Sequence, residues 1–146
     1  MIYLITSGLG LVALTVLVHI LCLALLVKWT SQLRRHSLDV GSFGSTFWLL
    51  VRVVWAILLS HIIQICLWAM FYYVNGSFPS AESSLYFSGV TYTTIGYGDV
   101  VIAYPWRLLA TTQGLVGILM CSLSAAFFFS LMTRLLFSRY QQNDIT

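Results

Sequence analysis

Charge is what this sequence has least of. Only 8% of its 146 residues are Asp, Glu, Lys or Arg, and the acidic ones number four: Asp39, Glu82, Asp99 and Asp144. A soluble domain carries about 25% charged residues, so a water-exposed globular surface is excluded. The same shortage excludes a disordered chain and a nucleic-acid binder with a basic face. Catalytic patterns are missing too. There is no Gly-x-Ser-x-Gly elbow, no carboxylate pair at acid–base spacing and no phosphate-binding glycine loop. The cysteines, Cys22, Cys66 and Cys121, have no companions at zinc-ligand spacing and read as small apolar residues of the helix core. No enzyme activity and no cofactor are expected.

What is abundant is apolar: 60% of the chain is hydrophobic. A membrane-crossing helix needs about 20 mostly apolar residues. Residues 2–27, 47–74 and 107–136 each supply them. The first segment lacks the basic start of a signal peptide, overruns its short apolar core and shows no cleavage site, so it reads as a true span. Lys28, Arg34 and Arg35 follow the first span, and Arg52 lies just beyond. Arg134 stands at the end of the third, and Arg139 follows it. The connection 75–106 has no basic residue until Arg107. The positive-inside rule then puts the N-terminus outside, residues 28–46 inside, 75–106 outside and the C-terminus in the cytoplasm, in a plasma membrane crossed several times. Ser45 or Thr46 is expected to cap the second span, and Pro105 to fit the first turn of the third. The Leu33–Val40 piece is a candidate to lie on the membrane surface.

The external connection is the informative segment. Asn75-Gly76-Ser77-Phe78-Pro79 is rich in turn residues. Its Asn-x-Ser pattern is discounted as a glycosylation acceptor because it abuts the membrane. Ser80 can cap a helix over 81–92, with Glu82 in its first turn. Twelve residues extend about 18 Å, too short to span. Thr93-Thr94-Ile95-Gly96-Tyr97-Gly98-Asp99 follows. Gly96 and Gly98 can take φ > 0. Alternating left- and right-handed dihedrals would turn the carbonyls of Thr94, Ile95, Gly96 and Tyr97 onto one axis, with the Thr94 hydroxyl below. One chain is one wall of such a tube, and a ring needs several copies.

Thr94-Ile95-Gly96-Tyr97-Gly98-Asp99 resembles the selectivity filter of the potassium channels, whose Thr-Val-Gly-Tyr-Gly loop replaces the ion's hydration shell with carbonyl oxygens. Ile95 stands where that loop has Val. The resemblance covers about residues 47–136. It implies an all-α membrane protein with three transmembrane helices, a re-entrant pore helix and a filter loop, assembled as a fourfold-symmetric homotetramer. It implies passive, selective K⁺ transport, with membrane lipid and K⁺ as partners and K⁺ held at Thr94, Ile95, Gly96 and Tyr97. Thr93, Gly98 and Asp99 would support the filter. Tyr97 would pack behind it, and Asp99 would sit at its outer mouth. Val90 stands where some members carry a pore-helix Glu, so no carboxyl pair is expected there.

The implied organisation is an extra N-terminal helix (1–28), a cytoplasmic linker (29–46), a pore domain (47–137) and a short tail (138–146). Within the pore domain the outer helix is 47–74, the pore helix 81–92, the filter 93–99 and the inner helix 106–137. The extra helix departs from the family's two-span core, and its default role is outer packing. No span carries Arg or Lys at every third residue, so no voltage sensor of the usual type is expected. The short tail leaves no room for a regulatory domain. Two alternatives stand: a non-selective monovalent cation channel, and a non-conducting or regulatory subunit of a larger channel.

Inside the third span, Gly114 and Gly117 are candidate hinges or sites of close helix packing. Ile118, Cys121, Ala125 and Phe129 form a stripe that either lines a cavity or is plain core. Phe127, Phe128 and Phe129 either narrow the inner exit or pack. Arg52 can snorkel to the inner interface. His19, His61 and Gln64 fall near mid-membrane. His19 and His61 are expected to meet across two helices and make opening pH-dependent. The alternative is that each ring is satisfied by a backbone carbonyl or a hydroxyl.

Overall fold

The computed structural model describes residues 2–36 and 43–143. They form four helices: α1 (Ile2–His36), α2 (Phe43–Val74), α3 (Ala81–Tyr92) and α4 (Arg107–Asn143). No strand occurs among the described residues, in keeping with the all-α expectation. Three stretches, Ile5–Gln32, Gly44–Val74 and Arg107–Leu135, are long and apolar enough to cross a membrane.

The helices overrun their apolar spans. α1 continues past Lys28 to His36, into the stretch read as linker, and α4 runs to Asn143, into the stretch read as tail. Leaving the bilayer does not break a hydrogen-bond ladder. Lys28, Gln32, Leu33, Arg34 and Arg35 favour helix, and no Gly or Pro stands between Leu11 and Val40. The surface-lying piece read at Leu33–Val40 is therefore a continuation of α1 as far as His36, and its remainder lies outside the described residues. Ser45 and Thr46 fall inside the first turn of α2 rather than before it. Pro105 precedes α4 instead of entering it. The helix opens at the Trp106 carbonyl, which accepts from Leu109 N (3.0 Å) and Ala110 N (3.2 Å).

The short helix α3 is wedged between α2 and α4, and α1 lies against both α2 and α4. An aromatic cluster holds α3 at its height. Trp68 and Tyr72 of α2, Phe78 of the turn and Phe87 of α3 are buried together with Ile102 and Leu109. The Phe87 ring lies 4.8 Å from Phe78, tilted against it, and meets Tyr72 edge to face at 5.4 Å. Polar bonds pin the same three helices. Ser88 Oγ donates to the Ile65 carbonyl (2.7 Å), Gln113 Nε2 to Ser88 Oγ (2.8 Å) and Tyr72 OH to Gln113 Oε1 (2.9 Å). A polar group buried without a partner costs several kcal/mol in hydrocarbon, so each such bond fixes a neighbour.

Three further bonds tie α1 to α2 and to Asn75, the residue just after it, at different heights. Tyr3 OH donates to Asn75 Oδ1 (2.9 Å), Trp68 Nε1 to Thr15 Oγ1 (3.0 Å) and Gln64 Nε2 to His19 Nδ1 (3.0 Å). The cysteines do not form the core. Cys66 and Cys121 are exposed and Cys22 is half-buried. A helix packed on one side only leaves such small side chains on its outer face.

Candidate ion pathway

Ser80 starts α3 by accepting the Ser83 N–H on its hydroxyl (3.1 Å). Glu82 lies in the first turn, where a carboxylate suits the helix dipole. At the other end the chain leaves the helix in steps. Thr93 N donates to Gly89 O (3.0 Å), Thr94 N to Thr91 O (3.1 Å) and Gly96 N to Val90 O (3.1 Å). The loop is thereby suspended from the C-terminal carbonyls of α3.

Its backbone alternates. Thr94 has φ 61°, Gly96 φ 54° and Gly98 φ 79°, while Ile95 and Tyr97 between them stay at negative φ. The two glycines are the expected positions. Thr94 is not, because a β-branched residue at positive φ is an outlier that needs a cause. Strain of this kind gathers where backbone direction matters to function.

Residues 93–99 are all exposed in the single chain, including Ile95 at 53% and Tyr97 at 71%. Irregular backbone at membrane depth survives only against protein or water. Tyr97 has no packing layer from its own chain.

Asp99 pairs within the chain. Tyr86 OH donates to Asp99 Oδ2 (2.7 Å), and Val100 N donates to Asp99 Oδ1 (3.0 Å). The tyrosine hydrogen bond holds the Asp99 carboxyl below its usual value and raises the phenol in turn. The interaction is present above the ordinary carboxylate range and is lost as the pH falls through the lowered value. Tyr86→Phe should therefore move Asp99 titration upward, towards the ordinary carboxylate range. Carboxyl carbon NMR shifts followed against pH check this, and an unmoved titration would refute it.

On the inner helix, α4 runs unbroken through Gly114 and Gly117. Gly117 faces the end of α3. A Cβ added there would overlap the Tyr92 carbonyl oxygen and lie 2.9 Å from its carbonyl carbon. At Gly114 the nearest atom would be Thr91 O at 3.5 Å, an ordinary contact. Ile118, Cys121, Ala125 and Phe129 are all exposed, whereas Gln113, Val116, Gly117, Met120 and Ser124 are buried. The stripe is thus not core within one chain. Phe127 and Phe128 are half-buried, and Arg52 is exposed.

The structure brings His19 and His61 together, with ring centroids 5.3 Å apart. Each is bonded by side chains rather than by backbone. His19 meets Gln64 and Ser124, and His61 meets Tyr92 and Ser124. Tyr92, Gln113 and Ser124 were not singled out from the sequence. Gln113 carried the same signal as Gln64, an amide inside an apolar span.

A short wedged helix, a suspended loop with alternating dihedrals and three spanning-length helices are consistent with the pore fold of a membrane ion channel. Comparison with known sequences agrees: a family model described as "Ion channel" matches residues 13–134. The chain belongs to the potassium-channel pore-domain family of ion channels. It is not an enzyme, and the family calls for no cofactor, K⁺ being its permeant ion. The voltage-gated potassium channel regulatory subunit KCNG1 of Homo sapiens is 29% identical over 119 residues, 76% of this chain and 23% of that protein. The Mus musculus and Rattus norvegicus proteins of the same name match to the same extent. The chain thus spans less than a quarter of the length of these relatives. No solved structure matches it significantly.

Proposed function

We propose that the chain is the subunit of a K⁺-selective channel, a homotetramer in the plasma membrane with its N-terminus outside and its C-terminus in the cytoplasm. The observation that carries this is the positive φ at Thr94, Gly96 and Gly98 in an exposed loop. Alternation of this kind turns successive carbonyls of Thr94, Ile95, Gly96 and Tyr97 to one side, where four copies would coordinate a dehydrated K⁺. Thr93, Gly98 and Asp99 support that loop. The C-terminal end of α3, negative by its dipole, favours a cation beneath. A groove of about 680 Å³ along α3 and the loop, lined in part by Leu85, Tyr86, Val90 and Ile95, offers an adjacent copy a seat beside the filter. The exposed stripe Ile118, Cys121, Ala125 and Phe129 would then line the cavity below.

The names of the relatives favour a second reading, in which this chain is a regulatory subunit that joins other pore chains. Purified protein in liposomes separates the two. The first reading expects K⁺ flux that Na⁺ cannot replace, block by Ba²⁺ and a native mass of four chains. Equal Na⁺ flux would overturn the selectivity. A lack of flux from the pure chain, restored on co-assembly with another pore subunit, would establish the second reading.

A further inference from the structure

The two histidines belong to a closed circuit whose proton positions can be worked out. Gln64 Nε2 lies 3.1 Å from the Ser60 carbonyl oxygen, which can only accept. The amide orientation is therefore fixed, and its other N–H donates to His19 Nδ1 (3.0 Å). His19 must then carry its proton on Nε2, which donates to Ser124 Oγ (3.3 Å). On the other side, Tyr92 OH donates to Gln64 Oε1 (2.8 Å). The Tyr92 oxygen is left to accept from His61 Nδ1–H (2.9 Å). His61 Nε2 is thus a bare lone pair, and the Ser124 hydroxyl donates to it (3.0 Å). Five donors meet five acceptors in a single sense, and both imidazoles are neutral. They hold opposite tautomers, each set by what its other nitrogen meets.

The circuit joins every helix: His19 of α1, His61 and Gln64 of α2, Tyr92 of α3 and Ser124 of α4. Tyr92 is the last residue of α3, its carbonyl rests in the Gly117 notch, and Thr93 and Thr94 follow directly.

A second proton has only two places to go. On His19 it would land on Nδ1, facing the fixed Gln64 N–H, and donor would meet donor. On His61 it would land on Nε2, facing a hydroxyl that can rotate. Ser124 Oγ can accept from both rings while its own hydrogen turns away. His61 is thus the site where the second proton settles: its link to Ser124 of α4 reverses, and the one-way order of the circuit ends there. The titratable groups facing His61 are His19 from α1 and Tyr92 from α3, with the Cys121 thiol of α4 near Tyr92. Glu82 and Asp99, the acidic residues among the described ones, lie outside the spans, so an imidazolium there gains no acidic partner among the described residues.

Resting on the potassium-channel reading, we propose that His19, His61 and Gln64 are positioning residues for the filter, and that one proton taken up by His61 turns the Ser124 hydroxyl hydrogen of α4 out of the circuit and lowers conduction. The loss has two sources: a hydroxyl hydrogen turned out of the one-way circuit that holds Tyr92, and a positive charge beside a cation pathway.

The test has two independent readouts on the full chain in liposomes. Ring-nitrogen NMR should show His19 as the Nε2–H tautomer and His61 as the rarer Nδ1–H tautomer near pH 8, with His61 charging before His19 on acidification. Reversed tautomers, or His19 charging first, would overturn the circuit. K⁺ flux should fall roughly tenfold over a pH unit once His61 titrates, and His61→Phe should flatten that profile. Should His61→Phe fail to assemble, Ser124→Ala deletes only a hydroxyl and should at least halve the fall. A profile unmoved by either variant overturns the positioning role. Absence of K⁺ flux at every pH would sink the conduction reading and with it the filter role, while the ring signals alone would still decide whether the circuit exists and where it opens.

Discussion

Gly117→Ala should abolish K⁺ flux, although it adds only one methyl group. Alanine is the better helix former, by about 1 kcal/mol in a water-exposed helix. That gain is outweighed. The new Cβ would overlap the Tyr92 carbonyl oxygen, and the obstacle is backbone at the end of a helix, not a side chain that can rotate away. Either α4 moves out or the end of α3 moves up. Overpacking of a close-packed site costs roughly 1–3 kcal/mol. Displacement at Tyr92 is transmitted directly to Thr93 and Thr94. Gly114→Ala is the matched control: its Cβ meets Thr91 O at an ordinary 3.5 Å, so flux and assembly should be retained. Flux assays and native mass on both variants check this. Equal tolerance at the two positions would show that α4 does not need its close approach to α3.

Gly96→Ala should remove the preference for K⁺ over Na⁺. Gly96 has φ 54°, and beyond its two chain neighbours nothing lies within 4 Å of where its Cβ would be. Space is therefore not the difficulty. The left-handed backbone costs an L-residue about 1–2 kcal/mol, and a ring of four would carry about 4–8 kcal/mol. The exposed loop has few contacts to hold that strain, so the local alternation should relax and turn a carbonyl off the axis. Ile95→Val, at an ordinary negative φ, should leave the ratio unchanged. Competitive uptake of the two ions measures the outcome. Preserved selectivity in Gly96→Ala would argue that the backbone at that residue does not set the preference.

Much of the architecture was legible before any coordinates. Uniform hydropathy located the spans, Ser80 announced its helix, and the spacing of Gly96 and Gly98 announced the alternation. Thr94 was not legible as a positive-φ residue, because nothing in a threonine asks for it. The conformation goes with the Thr94 N to Thr91 O bond at the end of α3, which sequence alone does not show. Hydropathy also cannot say which face of an apolar helix meets which neighbour. Gly117 looked equally suited to bending and to packing, and only the position of Tyr92 opposite it explains the missing side chain. The His19–His61 encounter came from depth counting along antiparallel helices. Their partners Tyr92 and Ser124 come from elements far apart in sequence, and no local pattern links them. The C-terminal ends of α1 and α4 and the start of α2 overrun the spans for a related reason. Apolar length marks where a bilayer ends, not where a helix does.

The three polar ties between α1 and α2 bear on how the molecule is put together in the bilayer. An interhelical hydrogen bond in a membrane is worth about 0.6 kcal/mol on average, so three contribute only about 2 kcal/mol. That is too little to hold α1 in place, which falls to packing. It is enough to set register. Sliding α1 by one turn, about 5.4 Å, would break all three together and favour the native alignment by roughly thirtyfold. The added helix is thus keyed like a toothed rack, and a relative lacking Tyr3, Thr15 and His19 would keep the helix but lose its fixed height.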